Sequence, residues 1–332
     1  MLLILSLICT GCADNSKVSL QNIMEDVDEN LCRRIAALDL AVIAPSSGLS
    51  MQDIARMKVL ANKYNINIPA NVLIDKNLMG EMVSDTNKSK KLMEAINSDH
   101  KIIWAIRGGY GAAMLIDYLN KLPIPGENKT IVGFSDITSL NLFISQKWKN
   151  WKVIHSHTLA RLLDRSYANE TFRTLLDILE NKIEKYDINK MLPLNKRAET
   201  SKLIVGQLTG GNLSIIETSL KTCWEIETKN KIIFLEDTNV TPERIYRSLY
   251  HLKESNKLSN IKAVIFGYFH NSNQRKLHKY LREFAKTLDV PVFMTDLFGH
   301  GDNNMPLIYN ATSEISNNRL TIFTGVRKSS RR

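Results

Sequence analysis

Between about Leu38 and Trp151 the apolar positions change period again and again. The run "ALDLAVIAPSSG" is apolar up to a Pro/Ser/Gly turn and predicts a buried strand. In "MQDIARMKVLANKY" the apolar residues return at helical spacing, so a helix follows. The alternation continues with "NKSKKLMEAINS" as helix, "KIIWAI" as strand, "AAMLIDYL" as helix, "KTIVGF" as strand, "ITSLNLFISQKW" as helix and "WKVIHS" as strand. Strands parted by helices of this length predict a parallel sheet covered on both faces. That pattern is a doubly wound, Rossmann- or flavodoxin-like α/β domain over residues 38–165.

A helical stretch, "ANETFRTLLDILEN", and a polar segment to about Ser201 break the rhythm, which places a linker at 166–200. The strands "SKLIVGQL", "KIIFLE", "KAVIFGYF" and "VPVFMTDL" follow, with one strong helix, "TPERIYRSLYHLKES". Thr241 as N-cap with Pro242 in the first helical position marks the start of that helix. With the terminal β-like "EISNNRLTIF", the pattern predicts a smaller C-terminal α/β domain with a mixed sheet at 201–325. A leader and charged spacer at 1–37 and a basic tail at 326–332 complete the chain. Ligands of open α/β sheets bind outside the carboxyl ends of the strands, where "IRGGYG" and "GFSD" both fall.

Composition changes this picture little. A chain of 332 residues with 44% hydrophobic content can bury two ordinary cores. Its net charge of +10 is scattered, and only "VRKSSRR" is dense, so a solvated basic surface is favoured and no nucleic-acid partner is expected. The four cysteines are Cys9, Cys12, Cys32 and Cys223. The C-x-x-C at 9 and 12 has no second pair at metal spacing, so no metal is expected.

The leader "MLLILSLICTGCADNSK" resembles a bacterial lipoprotein signal with Cys12 as the lipidation site, which would tether the protein to the cell envelope. A plain hydrophobic N-terminus, implying a cytoplasmic protein, is the alternative. No other run approaches the length of a membrane span.

Candidate chemistry gathers at the strand ends. In "KTIVGFSDITSL", Ser135 sits where a strand becomes a helix, and it is either a helix cap or a nucleophile. "RGGYGAA" offers glycines that let backbone N–H groups face an anion, with a tight turn as the bland alternative. In "FLED", Glu236 or Asp237 either caps the next element or orients a histidine. "FGHGDN" sets His300 between glycines at a strand end, within reach of a neighbouring serine. His155 and His157 form an H-x-H that points two rings to one face, for which packing is favoured over zinc.

Five ordered segments, "IRGGYGAA", "IVGFSDIT", "GQLTGGNLSII", "IIFLEDTN" and "LFGHGDN", resemble the LD-carboxypeptidase family of serine peptidases over roughly residues 38–325. That family also includes immunity enzymes against microcin C type peptide-nucleotide antibiotics. The resemblance implies Ser135 as nucleophile, Glu236 as acid and His300 as base, with the oxyanion met by the N–H groups of Asp136 and Gly109. Asn212, Tyr110 and Arg107 become candidate substrate contacts, with a helix-capping role for Asn212 and a structural ion pair for Arg107 as alternatives.

The implied activity is release of the terminal D-alanine from muropeptide tetrapeptides, without a cofactor and commonly by a homodimer. Cleavage of an aminoacyl-nucleotide toxin, or binding of muropeptides without turnover, are the other readings. Two departures, "IHSHTLARL" in place of a Gly-Pro and "MPLIYNA" without the usual glycine, bear on the shape of the pocket.

Overall fold

A computed structural model describes residues 28–69, 85–163 and 169–326. Cys9 and Cys12, the proposed lipid anchor and all of the basic tail beyond Val326 lie outside the described residues. No helix among the described residues is long and apolar enough to cross a membrane.

The strands are, in chain order, β1 Leu40–Ile43, β2 Ile102–Ala105, β3 Thr130–Val132, β4 Lys152–His155, β5 Lys185–Ile188, β6 Leu192–Pro193, β7 Ile204–Asn212, β8 Lys231–Thr238, β9 Ala263–His270, β10 Val292–Gly299, β11 Leu307–Ile308, β12 Thr312–Ser316 and β13 Arg319–Phe323. They form two sheets in a mixed α/β fold. The first has the order β1-β2-β3-β4-β11, with β1 to β4 parallel and β11 antiparallel at the edge. The second is the wider, in the order β5-β13-β12-β7-β8-β9-β10-β6. Its centre, β7 to β10, is parallel and its flanks are antiparallel, which makes it the mixed sheet that the sequence predicts.

Local sequence explains why these elements form. The helix Met51–Tyr64 buries Ile54, Met57, Leu60, Ala61 and Tyr64, a single helical stripe. Ser50 caps its start, and Asn65 in the left-handed region ends it. Thr241 Oγ1 accepts the Arg244 N–H at the start of helix Pro242–Glu254, whose buried face is Ile245, Ser248, Leu249 and Leu252. In β8, six of eight residues in a row are buried, as expected of a central parallel strand covered on both faces.

Two segments differ from the sequence-based expectation. The end of the spacer is folded: helix Glu29–Ala36 buries Leu31, Cys32 and Ile35, and Arg34 pairs with Asp177 and Glu180. Burial pushes the Cys32 thiol up to about 12, as expected of a packed and inert cysteine. The described part of the predicted linker, 169–200, is likewise more than a connection, because β5 pairs with β13 and β6 with β10. Its polar composition reflects edge strands, whose residues are mostly exposed or half-buried.

Candidate active site

The nucleophile candidate is placed by its backbone. Ser135 follows β3 and adopts φ +63°, the left-handed region that costs an L-residue on the order of 1–2 kcal/mol. Such strain persists only where the surroundings impose it. Gly133 packs so closely beneath the turn that a Cβ there would meet Ile137 Cγ2 at 2.8 Å. Gly108, just after β2, faces Ser135 itself, and a Cβ there would lie 2.8 Å from Ser135 Cβ and 3.1 Å from its Oγ. Gly109, at φ +118°, packs instead on Ser47. The peptide joining Gly108 to Gly109 therefore runs beside the serine. Ser135 makes no cap: the short helical turn Ser135–Ile137 begins after Phe134 with no side-chain cap bond.

The Asp136 side chain has a role that the sequence did not suggest. Its Oδ2 accepts the Ser46 hydroxyl at 2.6 Å and the Ala112 N–H at 2.9 Å. One carboxylate thus ties the loop after β1 and the glycine turn to the nucleophile turn. Burial raises its pKa above the usual range, opposed by these hydrogen bonds.

The acid and base come from the second sheet. His300 directly follows β10, and Gly299 before it, at φ +116°, could not be replaced freely, since a Cβ there would meet the Tyr268 carbonyl oxygen at 2.5 Å. Glu236 lies where the pairing of β8 with β9 shifts register, between Leu235 and Asp237. Irregularities of this kind re-aim side chains at strand ends. The Glu236 carboxylate, 0% exposed, bonds through Oε2 to His300 Nδ1, and His300 Nε2 lies 3.0 Å from Ser135 Oγ. The Phe134 ring covers the imidazole, centroid to centroid 4.7 Å. Asn304 Oδ1 accepts the Gly299 N–H at 3.1 Å and fastens the loop from behind.

The two acids of "FLED" divide the two roles that the sequence left open. Glu236 meets the histidine. Asp237 accepts from the Asn212 amide, the Ser214 N–H and hydroxyl, and the Thr238 N–H, and so anchors the start of helix Leu213–Ser219. Burial, and then the Glu236 charge, raise the pKa of Asp237.

A carboxylate only accepts, so the His300 proton shared with Glu236 sits on Nδ1 and the lone pair on Nε2 faces the serine hydroxyl. This arrangement can draw a proton from Ser135 Oγ and hold the resulting imidazolium.

The candidate substrate contacts fare differently. Asn212 is 5% exposed: its Oδ1 accepts the Ile215 N–H as a helix cap, and its Nδ2 donates to Asp237. Its amide is spent inside the protein, which corrects its candidacy as a substrate contact. Tyr110 is 66% exposed beside the glycine turn, with its N–H donating to Ser47 Oγ. Arg107 is exposed and donates to the Gly48 carbonyl at 3.0 Å; it pairs with no carboxylate among the described residues.

His155 and His157 are both buried, and both rings lie edge-on to Phe134. Neither ring nitrogen of His155 has a hydrogen-bond partner among the described residues, and burial holds its pKa down to about 3. The ring is a neutral packing element between Phe134 and Phe234.

Comparison with known proteins adds a family. Residues 40–156 match the family model described as the LD-carboxypeptidase N-terminal domain, and residues 205–315 match the C-terminal domain. A Rickettsia conorii protein named as a carboxypeptidase is 40% identical over 84% of this chain and 88% of its own. A murein tetrapeptide carboxypeptidase of Pseudomonas aeruginosa is 25% identical over 67% of this chain and 74% of its own. The crystal structure of a muramoyltetrapeptide carboxypeptidase from Oxalobacter formigenes superposes with a TM-score of 0.69 at 21% identity, covering 86% of this chain and 98% of that one.

Proposed function

The chain belongs to the LD-carboxypeptidase family, and from that premise we propose that it is a serine carboxypeptidase that removes the terminal D-alanine from muropeptide tetrapeptides. The observation that carries the proposal is the continuous run from buried Glu236 through His300 to Ser135, with 3.0 Å between His300 Nε2 and Ser135 Oγ. In this reading Ser135 Oγ attacks the carbonyl of the L-centre while His300 Nε2 takes its proton. Glu236 holds the tautomer and stabilises the imidazolium.

The developing oxyanion meets the N–H groups of Asp136 and Gly109, each donor of this kind contributing about 3–4 kcal/mol. Both belong to backbone fixed by the glycine packing and the Asp136 carboxylate bonds. Their geometry is set before substrate arrives, which is the condition for electrostatic catalysis. His300 then protonates the departing D-alanine nitrogen, and water hydrolyses the acyl-enzyme with His300 again as base. The murein substrate named for the Pseudomonas aeruginosa relative supports the choice of peptide.

The test is D-alanine release from L-Ala-γ-D-Glu-diaminopimelate-D-Ala by the full chain, followed by mass spectrometry beside Ser135→Ala. Release by the wild type, reduced on the order of 10⁶-fold in the variant, is expected. Equal release by both would remove Ser135 from the role of nucleophile. Turnover of an aminoacyl-sulfamoyl nucleotide with none of the tetrapeptide would reassign the substrate.

A further inference from the structure

Residues 46–48, in the loop after β1, are the bed on which the glycine turn lies. Arg107 donates to the Gly48 carbonyl at 3.0 Å, the Ser47 N–H donates to the Gly108 carbonyl at 3.2 Å, and the Tyr110 N–H donates to Ser47 Oγ at 3.2 Å. The middle bond sets a direction. In a planar trans peptide the C=O and N–H point opposite ways, so a Gly108 carbonyl held by Ser47 turns the Gly109 N–H away from the bed. The oxyanion donor proposed above is therefore aimed by residues 46–48, and whatever fixes them fixes the donor.

Two charges meet at Ser46. Its hydroxyl donates to Asp136 Oδ2 at 2.6 Å, and its carbonyl accepts from Lys88 Nζ, also at 2.6 Å. Both Ser46 and Asp136 are buried, and Lys88 is half-buried. Lys88 lies in the first turn of helix Asp85–Asn97, four and seven residues before the buried Leu92 and Ala95. That spacing puts it on the helix face that packs on β1, and its long stem carries the ammonium to the loop after that strand. The same ammonium stands 3.3 Å from where a Cβ on Gly111 would lie, and the next residue, Ala112, gives its N–H to Asp136. Burial raises the pKa of Asp136, opposed by the Ser46 and Ala112 bonds and then by the Lys88 charge.

We propose that Lys88 is a positioning residue of the active site: its ammonium holds the Ser46 carbonyl, offsets the Asp136 charge, and so keeps the Gly109 N–H aligned with the nucleophile turn. The inference rests on the function proposed above and adds a residue, outside the motif segments, that acts on the oxyanion donor without touching substrate. Removing the ammonium leaves a buried carbonyl without its donor and a buried carboxylate without its counter-charge, and the strain falls on the joint between the glycine turn and Ser135.

The test measures kcat and KM for D-alanine release from the tetrapeptide by full-chain wild type, Lys88→Met and Lys88→Arg, with melting temperatures to report folding. In Lys88→Met, kcat is expected to fall about 10- to 100-fold while KM changes by less than about threefold, the pattern of an interaction realised in the transition state. Lys88→Arg keeps the charge and a donor, and is expected to hold kcat within about fivefold of wild type. In an Asp136→Asn background, Lys88→Met is expected to cost less than about threefold further, because the charge that it offsets is gone. An unchanged kcat in Lys88→Met, an equal loss in folded Lys88→Arg, or a fully additive loss in the Asp136→Asn background would each overturn the inference and leave the proposed function standing. Should Lys88→Met fail to fold, Lys88→Gln, which drops the charge and keeps a donor, takes its place under the same criteria. Absence of turnover by the wild type would overturn the tetrapeptide reading, and this inference with it.

Discussion

The two sheets contribute to the site by different physical means. On the first sheet, position comes from the backbone: Ser135 is forced into a left-handed conformation, and the glycines at 108 and 133 leave no room for a Cβ. On the second, position comes from hydrogen bonds made by side chains, of Glu236 to His300, of Asn304 to the Gly299 N–H and of Asp237 to the Asn212 amide and the Ser214 hydroxyl. The difference follows the chemistry. A nucleophile must sit at one fixed point beside oxyanion donors that are themselves backbone N–H groups, so rigidity of the main chain serves both. An acid and base must exchange protons, and their function depends on which atoms bear hydrogen.

The comparison breaks most sharply at Glu236. In Glu236→Gln the amide can donate to Nδ1 and so favour the wrong imidazole tautomer, with a proton on Nε2 facing Ser135. A fall in kcat of about 10⁴-fold is expected with the melting temperature kept, the scale known for an amide in place of a triad carboxylate. A fall below tenfold would mean that Glu236 does not set the tautomer. Gly108→Ala probes the other half without touching any proton. Its added methyl would press on Ser135 Cβ, a short and inflexible side chain, and displace the nucleophile. A loss of about 10²-fold in turnover is expected for a displacement of this size. Unchanged turnover would show that the nucleophile turn yields, and that its placement is softer than its dihedral implies.

Much of this division was written in the residues. The helix Met51–Tyr64 and the strands β1 to β4 follow directly from local periodicity, and the glycines of "RGGYG" and "GFSD" mark where the backbone is tight. Other elements were hidden. Helix Gln274–Ala285 buries only Leu277, Leu281, Phe284 and Ala285 and is crowded with basic residues, so its apolar stripe is sparse. Strand β11 is two residues long and gains its identity from pairing with β4 far away in sequence. The duty of the Asp136 side chain could not be read locally, since its partners Ser46 and Ala112 meet it only through the parallel sheet. The same holds for Arg161, whose contact with Gly301 spans 140 positions.

The smallest expected effect lies at the seam between the halves. His155 belongs to β4 of the first sheet yet packs against Phe134 on one side and Phe234 of β8 on the other. Burial, with a smaller contribution from His300, lowers its pKa from 6.5 to about 3. A histidine held neutral in the fold binds fewer protons there than in the unfolded chain. Its contribution to stability is therefore complete above pH 6.5 and is lost as the pH falls from 6.5 towards about 3. In His155→Leu, a change of similar volume that removes two ring nitrogens without partners among the described residues, the free energy of unfolding at pH 8 is expected to change by less than about 1.5 kcal/mol. Across the acid range the variant is expected to lose stability less steeply than the wild type, as followed by thermal melts at half-unit steps of pH. If the two acid limbs have the same slope, protonation of His155 is not what loosens the seam. If the variant's limb is flatter while its turnover at pH 8 is unchanged, the seam and the site are energetically separate.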